Sequence, residues 1–136
     1  MGNTPIATLE EIFLEALAIG GALGVALGDW RSGACLGAKS ADASAFPERD
    51  LSLAIAGNSE VLRSKLRVAE ALNQRLQEII IVSQEQYHLI RLVNSRGLFI
   101  YLALDLEKAN LALARIKLEQ LAEQLGQLPL KTSRII

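Results

Sequence analysis

Residues that could carry out chemistry are few in this chain. It contains one histidine, His88, and one cysteine, Cys35. His88 could act as a general base, but the sequence identifies no partner that would orient it, and a lone histidine is more often a packed or edge residue. Cys35 stands in a predicted strand among Ala34, Leu36 and Gly37, which is typical of a small buried apolar residue. One histidine and one cysteine are also too few soft ligands for a zinc site. We therefore predict no catalytic residue, no metal and no cofactor.

The glycine-rich stretch GGALGVALG, residues 20–28, could suggest a phosphate-binding loop or a membrane helix. A phosphate loop needs its glycines after a strand and before a helix, whereas this stretch follows a helical pattern and leads into a hairpin. The uncharged run from Ala16 to Gly28 is shorter than the roughly 18 residues that a spanning helix needs. We predict that Gly20 and Gly21 end a helix, and that Gly24 and Gly28 let a helix pack closely on a buried strand.

The bulk composition indicates one domain with nearly equal numbers of acidic and basic residues. The chain has 136 residues, with 14 basic and 15 acidic side chains and a net charge of −1. That balance gives no excess of positive charge that would favour binding to nucleic acid or to an anionic membrane. The first residues lack the pattern of a secretory signal, and a single cysteine fits a reducing compartment. We predict a cytoplasmic protein without membrane insertion, with one domain at residues 1–128 and a short tail at 129–136.

Hydrophobic periodicity predicts the order α-β-β-α-β-β-β-α and an α+β class with one antiparallel sheet. Asn3 or Thr4, with Pro5 in the first turn, is the predicted cap of the first helix, and Asp105 is the predicted cap of the last. A hairpin turn is expected at residues 94–97. The predicted segments are a helix ending at Gly20, strands at 22–28 and 34–38, a helix at 51–72, strands at 78–83, 87–93 and 98–105, and a helix ending at Gly126.

Three features suggest contacts with other chains. The segment EIIIVS has apolar residues at consecutive positions, so both faces of this strand should be buried. It is either an unprotected edge strand that invites pairing with a second copy or a central strand covered within the monomer. Asn58 is the polar interruption in the apolar stripe of the middle helix and could set the register of a self-complementary surface. Trp30 at a hairpin tip either folds over the core or faces a partner.

Several segments follow one another in a recognisable order: GALGVALGDW with Asp29 at the turn and Gly33 after it, the long middle helix, EIIIVS, YHLIRLV leading to LFIYLALD, and KANLALARIKLEQL. Together these segments resemble the roadblock family, the dynein light-chain-like domain related to longin folds. The resemblance extends from about Leu9 to Leu125. It implies a five-stranded sheet with strand order 2-1-5-4-3, the middle helix on one face, and the first and last helices on the other.

The resemblance also implies a role and a set of interface residues. The third strand becomes a sheet edge, and family members dimerise through that edge with their middle helices side by side. The implied dimer seam consists of Ile79, Ile80, Ile81 and Val82 with Asn58, Leu62 and Leu66. Family members are non-catalytic proteins that bind small Ras-like GTPases, as activators or scaffolds, or that serve as adaptor subunits. Bacterial relatives that regulate gliding polarity stimulate their GTPase by rearranging its own residues rather than by inserting an arginine.

Two points in the sequence qualify this role. The turn Trp30-Arg31-Ser32 is bulkier and one residue longer than the usual Asp-x-x-Gly tip. Arg63, Arg67 and Arg75 could complete a phosphoryl-transfer site in trans, although surface arginines on helices are common. The predicted partner-binding residues are Trp30, Arg63 and Arg67. The alternatives are a structural assembly subunit without a GTPase partner and a small-molecule sensor domain. The largely aliphatic core argues against a ligand pocket, which needs convergent polar groups.

Overall fold

The computed structural model describes residues 8–93 and 96–129 and contains one five-stranded antiparallel sheet with three helices. The elements are α1 (Leu9–Leu17), β1 (Ala22–Asp29), β2 (Ala34–Ser40), α2 (Glu48–Ala71), β3 (Glu78–Val82), β4 (Gln86–Val93), β5 (Leu98–Asp105) and α3 (Leu111–Gln127). The strand order is β2-β1-β5-β4-β3. Helix α2 packs on one face of the sheet, and α1 and α3 pack on the other. The predicted class, order and strand arrangement are therefore confirmed.

Strand β5 lies in the middle of the sheet and supplies apolar side chains to two cores. Successive side chains of a strand point to opposite faces. Leu98, Ile100, Leu102 and Leu104 therefore join the core under α1 and α3, while Phe99, Tyr101 and Ala103 join the core under α2. Because both faces are covered, this strand is almost continuously apolar in sequence.

Two glycines of β1 bring α2 close to the sheet. A Cβ atom on Gly24 would lie 3.0 Å from Cδ2 of Leu51, and one on Gly28 would lie 2.8 Å from Cγ2 of Ile55. Both contacted residues belong to α2. The prediction that these glycines permit close helix packing is confirmed.

The N-caps of the first and last helices differ from those predicted. Thr8 caps α1: its hydroxyl accepts a hydrogen bond from the Glu11 amide at 3.1 Å, and the Glu11 carboxylate accepts one from the Thr8 amide at 2.8 Å. This reciprocal pair is a capping box. The predicted cap residues Asn3 and Thr4, and Pro5 of the predicted first turn, lie outside the described residues, as do Asn94 and Ser95 of the predicted hairpin turn.

The prediction that Asp105 caps the last helix is wrong. The amide of Asp105 donates to the Gly21 carbonyl at 2.7 Å, so this residue still belongs to the sheet. Its carboxylate accepts a hydrogen bond from the Glu107 amide at 2.9 Å, which forms a turn. Asn110 caps α3 instead, with its side-chain oxygen accepting from the Leu113 amide at 3.1 Å.

Candidate interaction surfaces

Strand β3 forms an open edge of the sheet. Within the described residues it pairs only with β4. The Ser83 amide donates to the Gln86 carbonyl at 2.9 Å, and the Leu92 amide donates to the Gln77 carbonyl at 3.1 Å. In an antiparallel pair, alternate residues direct both backbone groups to the neighbouring strand. The odd-numbered residues of β3 therefore face β4.

The even-numbered residues of β3 have their backbone groups on the open side. Glu78, Ile80 and Val82 direct their N–H and C=O groups away from the sheet, by the same alternation. Residues 78–82 include neither lysine nor proline, the usual protections of an edge strand. The strand can therefore accept another strand.

The side chains of β3 are only partly covered. Ile79 and Ile81 pack against the core under α2, and Ile80 packs against the core under α1 and α3. All three are half-buried, and Val82 is 62% exposed. The interpretation of EIIIVS as a central strand covered within the monomer is wrong, because the fold places this strand at the end of the sheet.

The three α2 residues predicted for the seam differ in accessibility. Asn58 and Leu66 are half-buried, whereas Leu62 is fully buried under α2. Leu62 therefore has no surface to offer a second chain and holds α2 on its own sheet. The polar residue buried beneath α2 is Ser59 rather than Asn58, and its hydroxyl donates to the Ile55 carbonyl at 2.7 Å.

Trp30 and Arg63, two of the predicted partner-binding residues, lie in contact. Nη1 of Arg63 donates to the Trp30 carbonyl at 2.6 Å, and the Trp30 amide donates to the Gly97 carbonyl at 3.1 Å. The Trp30 side chain packs against the core under α2 while remaining partly exposed. Arg67 is exposed one turn further along α2. At 3.6 residues per turn, Asn58 lies on the opposite flank of the helix from these arginines.

An open groove lies beside Trp30, at the C-terminal end of α2. Its volume is about 530 Å³, and Trp30, Leu66 and Leu92 contribute apolar side chains to its lining. Glu70 and Arg75 add opposite charges. The groove combines an apolar lining with charged residues, which is a composition suited to a protein segment.

His88 has partners that sequence analysis did not identify. The Ser83 hydroxyl donates to the Gln86 carbonyl at 3.2 Å, and its oxygen lies 3.3 Å from Nε2 of His88. Nδ1 of His88 lies 2.5 Å from the Tyr101 hydroxyl. These contacts fit a neutral imidazole that donates from Nε2 and accepts at Nδ1.

The surroundings of His88 are unsuited to nucleophilic catalysis. Burial lowers the pKa of His88 and raises the pKa of Tyr101, so both groups are neutral near pH 7. A neutral phenol does not stabilise an imidazolium as a carboxylate does, and the Ser83 proton is directed to a carbonyl. The arrangement holds the imidazole ring in place.

A cluster of charged side chains connects β3, β4 and α3. Nε of Arg115 donates to Oε2 of Glu78 at 3.0 Å, and Nη1 of Arg91 lies 3.7 Å from Oε1 of the same carboxylate. Arg91 also pairs with Glu119 at 3.5 Å. The hydrogen bond that Arg115 donates to Glu78 raises the pKa of Arg115. Sequence analysis missed this cluster, although Arg115 belongs to the ANLALAR segment.

Residues 8–93 and 96–129 provide neither a metal-binding cluster nor a membrane-spanning helix. They contain no group of three His, Cys, Asp or Glu side chains placed to hold a metal ion. None of the helices in these ranges combines the length and the apolar character that are needed to cross a bilayer.

Comparisons with known proteins identify structural neighbours only. No family model and no curated protein matches the sequence. MglB of Myxococcus xanthus is 14% identical with a TM-score of 0.69, over 85% of this chain and 80% of that chain. The gliding protein MglB of Thermus thermophilus is 20% identical with a TM-score of 0.76, over 87% and 85%. A Roadblock/LC7 domain from Streptomyces avermitilis is 13% identical with a TM-score of 0.70, over 88% and 95%. At these identities the likeness concerns the fold.

Proposed function

Because this chain has the roadblock fold, we propose that it is a non-catalytic, homodimeric adaptor that binds a small Ras-like GTPase in the cytoplasm. The open edge of β3 is the observation that carries this proposal. It offers unpaired backbone groups between half-buried isoleucines, and a second copy would satisfy both the hydrogen bonds and the apolar surface. The class of the GTPase partner rests on the fold and on its likeness to the MglB proteins.

The surface around Trp30 is the proposed contact for the GTPase. A partly exposed tryptophan and nearby arginines are the residue types that dominate binding energy at protein interfaces. The bond from Arg63 to the Trp30 carbonyl fixes the tip of the β1–β2 hairpin against α2. Arg67 remains exposed on the same flank and can pair with an acidic group of the partner.

Sedimentation tests the dimer. The full chain at micromolar concentration should sediment as a dimer, and Ile81→Lys should shift it to the monomer because a charged side chain would enter the paired edge. Leu14→Lys is the matched control, since Leu14 is 51% exposed on α1. It should leave the dimer unchanged. A wild-type monomer would contradict the homodimer.

Nucleotide-dependent binding tests the partner. A Ras-like GTPase from the same genome, loaded with GDP or with a non-hydrolysable GTP analogue, should bind the chain with affinities that differ between the two nucleotides. Single-turnover phosphate release would then separate an activator from a scaffold. Equal or absent binding with both nucleotides would contradict the proposed GTPase adaptor.

Variants locate the GTPase surface. Trp30→Ala and Arg67→Glu should each weaken binding about tenfold or more, since both remove a candidate anchor at the interface. Arg49→Glu introduces the same charge change at the other end of α2, where the Arg49 side chain is 86% exposed. It should leave the affinity unchanged. Equal losses for Arg67→Glu and Arg49→Glu would indicate a general effect of charge.

A structural assembly subunit is the second candidate function. Near its C-terminal end α2 exposes Val68 at 50%, one turn before the C-cap residue Leu72 at 66%, and Leu53 near its other end is 71% exposed. Exposed apolar surface of this kind favours contact with another protein chain. An assembly subunit would form the dimer and show no dependence on nucleotide in the binding experiment.

A further inference from the structure

We propose that a second copy of this chain pairs with β3 in one register, centred on Ile80, and that α3 completes the contact by packing against the partner's Val82. The inference rests on the homodimer proposed above and adds the residues that specify how the two copies meet. It follows from the alternating direction of the backbone hydrogen bonds of β3 and from two exposed apolar side chains, Val82 of β3 and Ile116 of α3.

The backbone of β3 restricts the possible registers. Only Glu78, Ile80 and Val82 direct backbone groups outward, so a two-fold axis must place these residues opposite one another. With the axis at Ile80, Ile80 pairs with its own copy and Glu78 pairs with the partner's Val82. The backbone groups of all three outward residues then form hydrogen bonds with residues of the partner's β3.

The two neighbouring registers use the edge less completely. With the axis at Ile79, Val82 would lie opposite the partner's Leu76, which precedes β3. With the axis at Ile81, Glu78 would lie opposite the partner's Gln84, which follows it. In each case one outward residue pairs outside the regular strand. The register centred on Ile80 is therefore favoured.

The same register brings an exposed valine to the outer flank of α3. Glu78, Ile80 and Val82 share the face of the sheet that packs against α1 and α3. The partner's Val82 would lie one strand beyond Glu78 on that face. Ile116 of α3 is 55% exposed and lines a groove together with Glu78 and Arg115. The side chain of the partner's Val82, 62% exposed in the monomer, would cover this groove.

The charge of Glu78 does not oppose this arrangement. Its carboxylate is hydrogen-bonded by Arg115 and lies 3.7 Å from Arg91, and only 16% of the side chain is exposed. An unpaired carboxylate beside an incoming valine would lose hydration without compensation. Here the two guanidinium groups already provide that compensation inside the monomer.

Cysteine cross-linking tests the register. In a Cys35→Ser background, single variants Ile79→Cys, Ile80→Cys and Ile81→Cys place one thiol at each possible centre. A self-pair at Ile80 would be a hydrogen-bonded pair with Cα atoms about 5.5 Å apart, and a self-pair at Ile79 or Ile81 would be a non-hydrogen-bonded pair at about 4.5 Å. Both spacings are within the range of a disulfide, whereas diagonal neighbours are about 7–8 Å apart. Under mild oxidation, Ile80→Cys should form the covalent dimer fastest. Faster cross-linking of either neighbour would overturn the register.

Substitution of Ile116 tests the contribution of α3. Ile116→Glu should weaken dimerisation about tenfold or more, because it places a charge against an apolar side chain. Val82→Ser should also weaken dimerisation. Leu113→Glu is the matched control, since Leu113 is 63% exposed on α3 and lines a groove with Glu15 and Lys117, away from β3. Circular dichroism checks that each variant is folded.

The outcomes separate this inference from the proposed function. A dimer that cross-links at Ile79→Cys or Ile81→Cys keeps the homodimer and overturns the register. Equal dissociation constants for Ile116→Glu and Leu113→Glu overturn the contact with α3. A monomer in sedimentation overturns the homodimer itself, and with it the pairing proposed here.

Discussion

Gly28 offers a direct test of the packing between α2 and the sheet. Gly28→Ala adds one methyl group to β1 beneath the helix. The new Cβ atom would lie 2.8 Å from Cγ2 of Ile55, 2.8 Å from Cε1 of Phe99 and 2.9 Å from Cζ of the same ring. Ile55 and Phe99 are fully buried, so neither side chain can move aside into solvent.

The expected change in stability follows from two opposing effects. Overpacking of a close-packed core costs about 1–3 kcal/mol. Replacement of glycine by alanine also reduces the entropy of the unfolded chain, which stabilises the folded state by about 0.4–1 kcal/mol. The first effect is the larger, so Gly28→Ala should lower the free energy of unfolding by about 1–2 kcal/mol.

Gly57→Ala is the matched control. Gly57 lies within α2, and a Cβ atom there would have no neighbour within 4 Å. The same chemical change should raise the free energy of unfolding by about 0.5–1 kcal/mol, because alanine favours a helix more than glycine does. Urea denaturation followed by circular dichroism, at one protein concentration for all variants, measures both changes. Equal or greater stability of Gly28→Ala relative to the wild type would refute the close approach of α2.

Three other perturbations have expected outcomes. Burial lowers the pKa of His88 below its ordinary value of 6.5, so the unfolded chain binds the proton more readily than the folded chain. The free energy of unfolding should therefore fall as the pH drops through 6.5, and urea denaturation at about pH 7.5 and pH 6 measures this change. The variant His88→Gln should reduce the pH dependence. Asn110→Ala should cost about 1 kcal/mol through loss of the α3 cap, while Asn110→Asp should retain most of it, and thermal unfolding compares the two. Asn73 has a φ of 57°, so Asn73→Val should lower the melting temperature whereas Asn73→Gly should not.

Much of the fold is predictable from local patterns in the sequence. The change from helical to alternating periodicity near Gly20 indicates where α1 ends and β1 begins, and the small residues of β1 indicate the close approach of α2. These features depend on neighbouring residues, whose side-chain directions follow from the geometry of helices and strands. The caps were less predictable, because both Asp105 and Asn110 are suitable residue types and only the path of the chain decides between them.

The candidate surfaces were predictable in part. The apolar, unprotected character of EIIIVS is visible in the sequence, and its place at the edge of the sheet came from the resemblance. The contact of Arg63 with Trp30 was not visible, because it joins residues 33 positions apart. The burial of Leu62 was also unexpected, since the periodicity of a helix identifies an apolar stripe without showing how much of it the sheet covers.

By itself, the sequence determined the type and order of the elements, the apolar character of β3 and the small-residue face of β1. These properties are local, since they arise from residue types at fixed spacings along the chain. Only the tertiary structure decided which strand is left open, which backbone groups of that strand point outward, and which distant side chains meet. The Glu78–Arg115 pair joins residues 37 positions apart, and the His88–Tyr101 pair depends on the register of β4 and β5. Such contacts form only when separate elements pack together, because no local pattern specifies the distance between them.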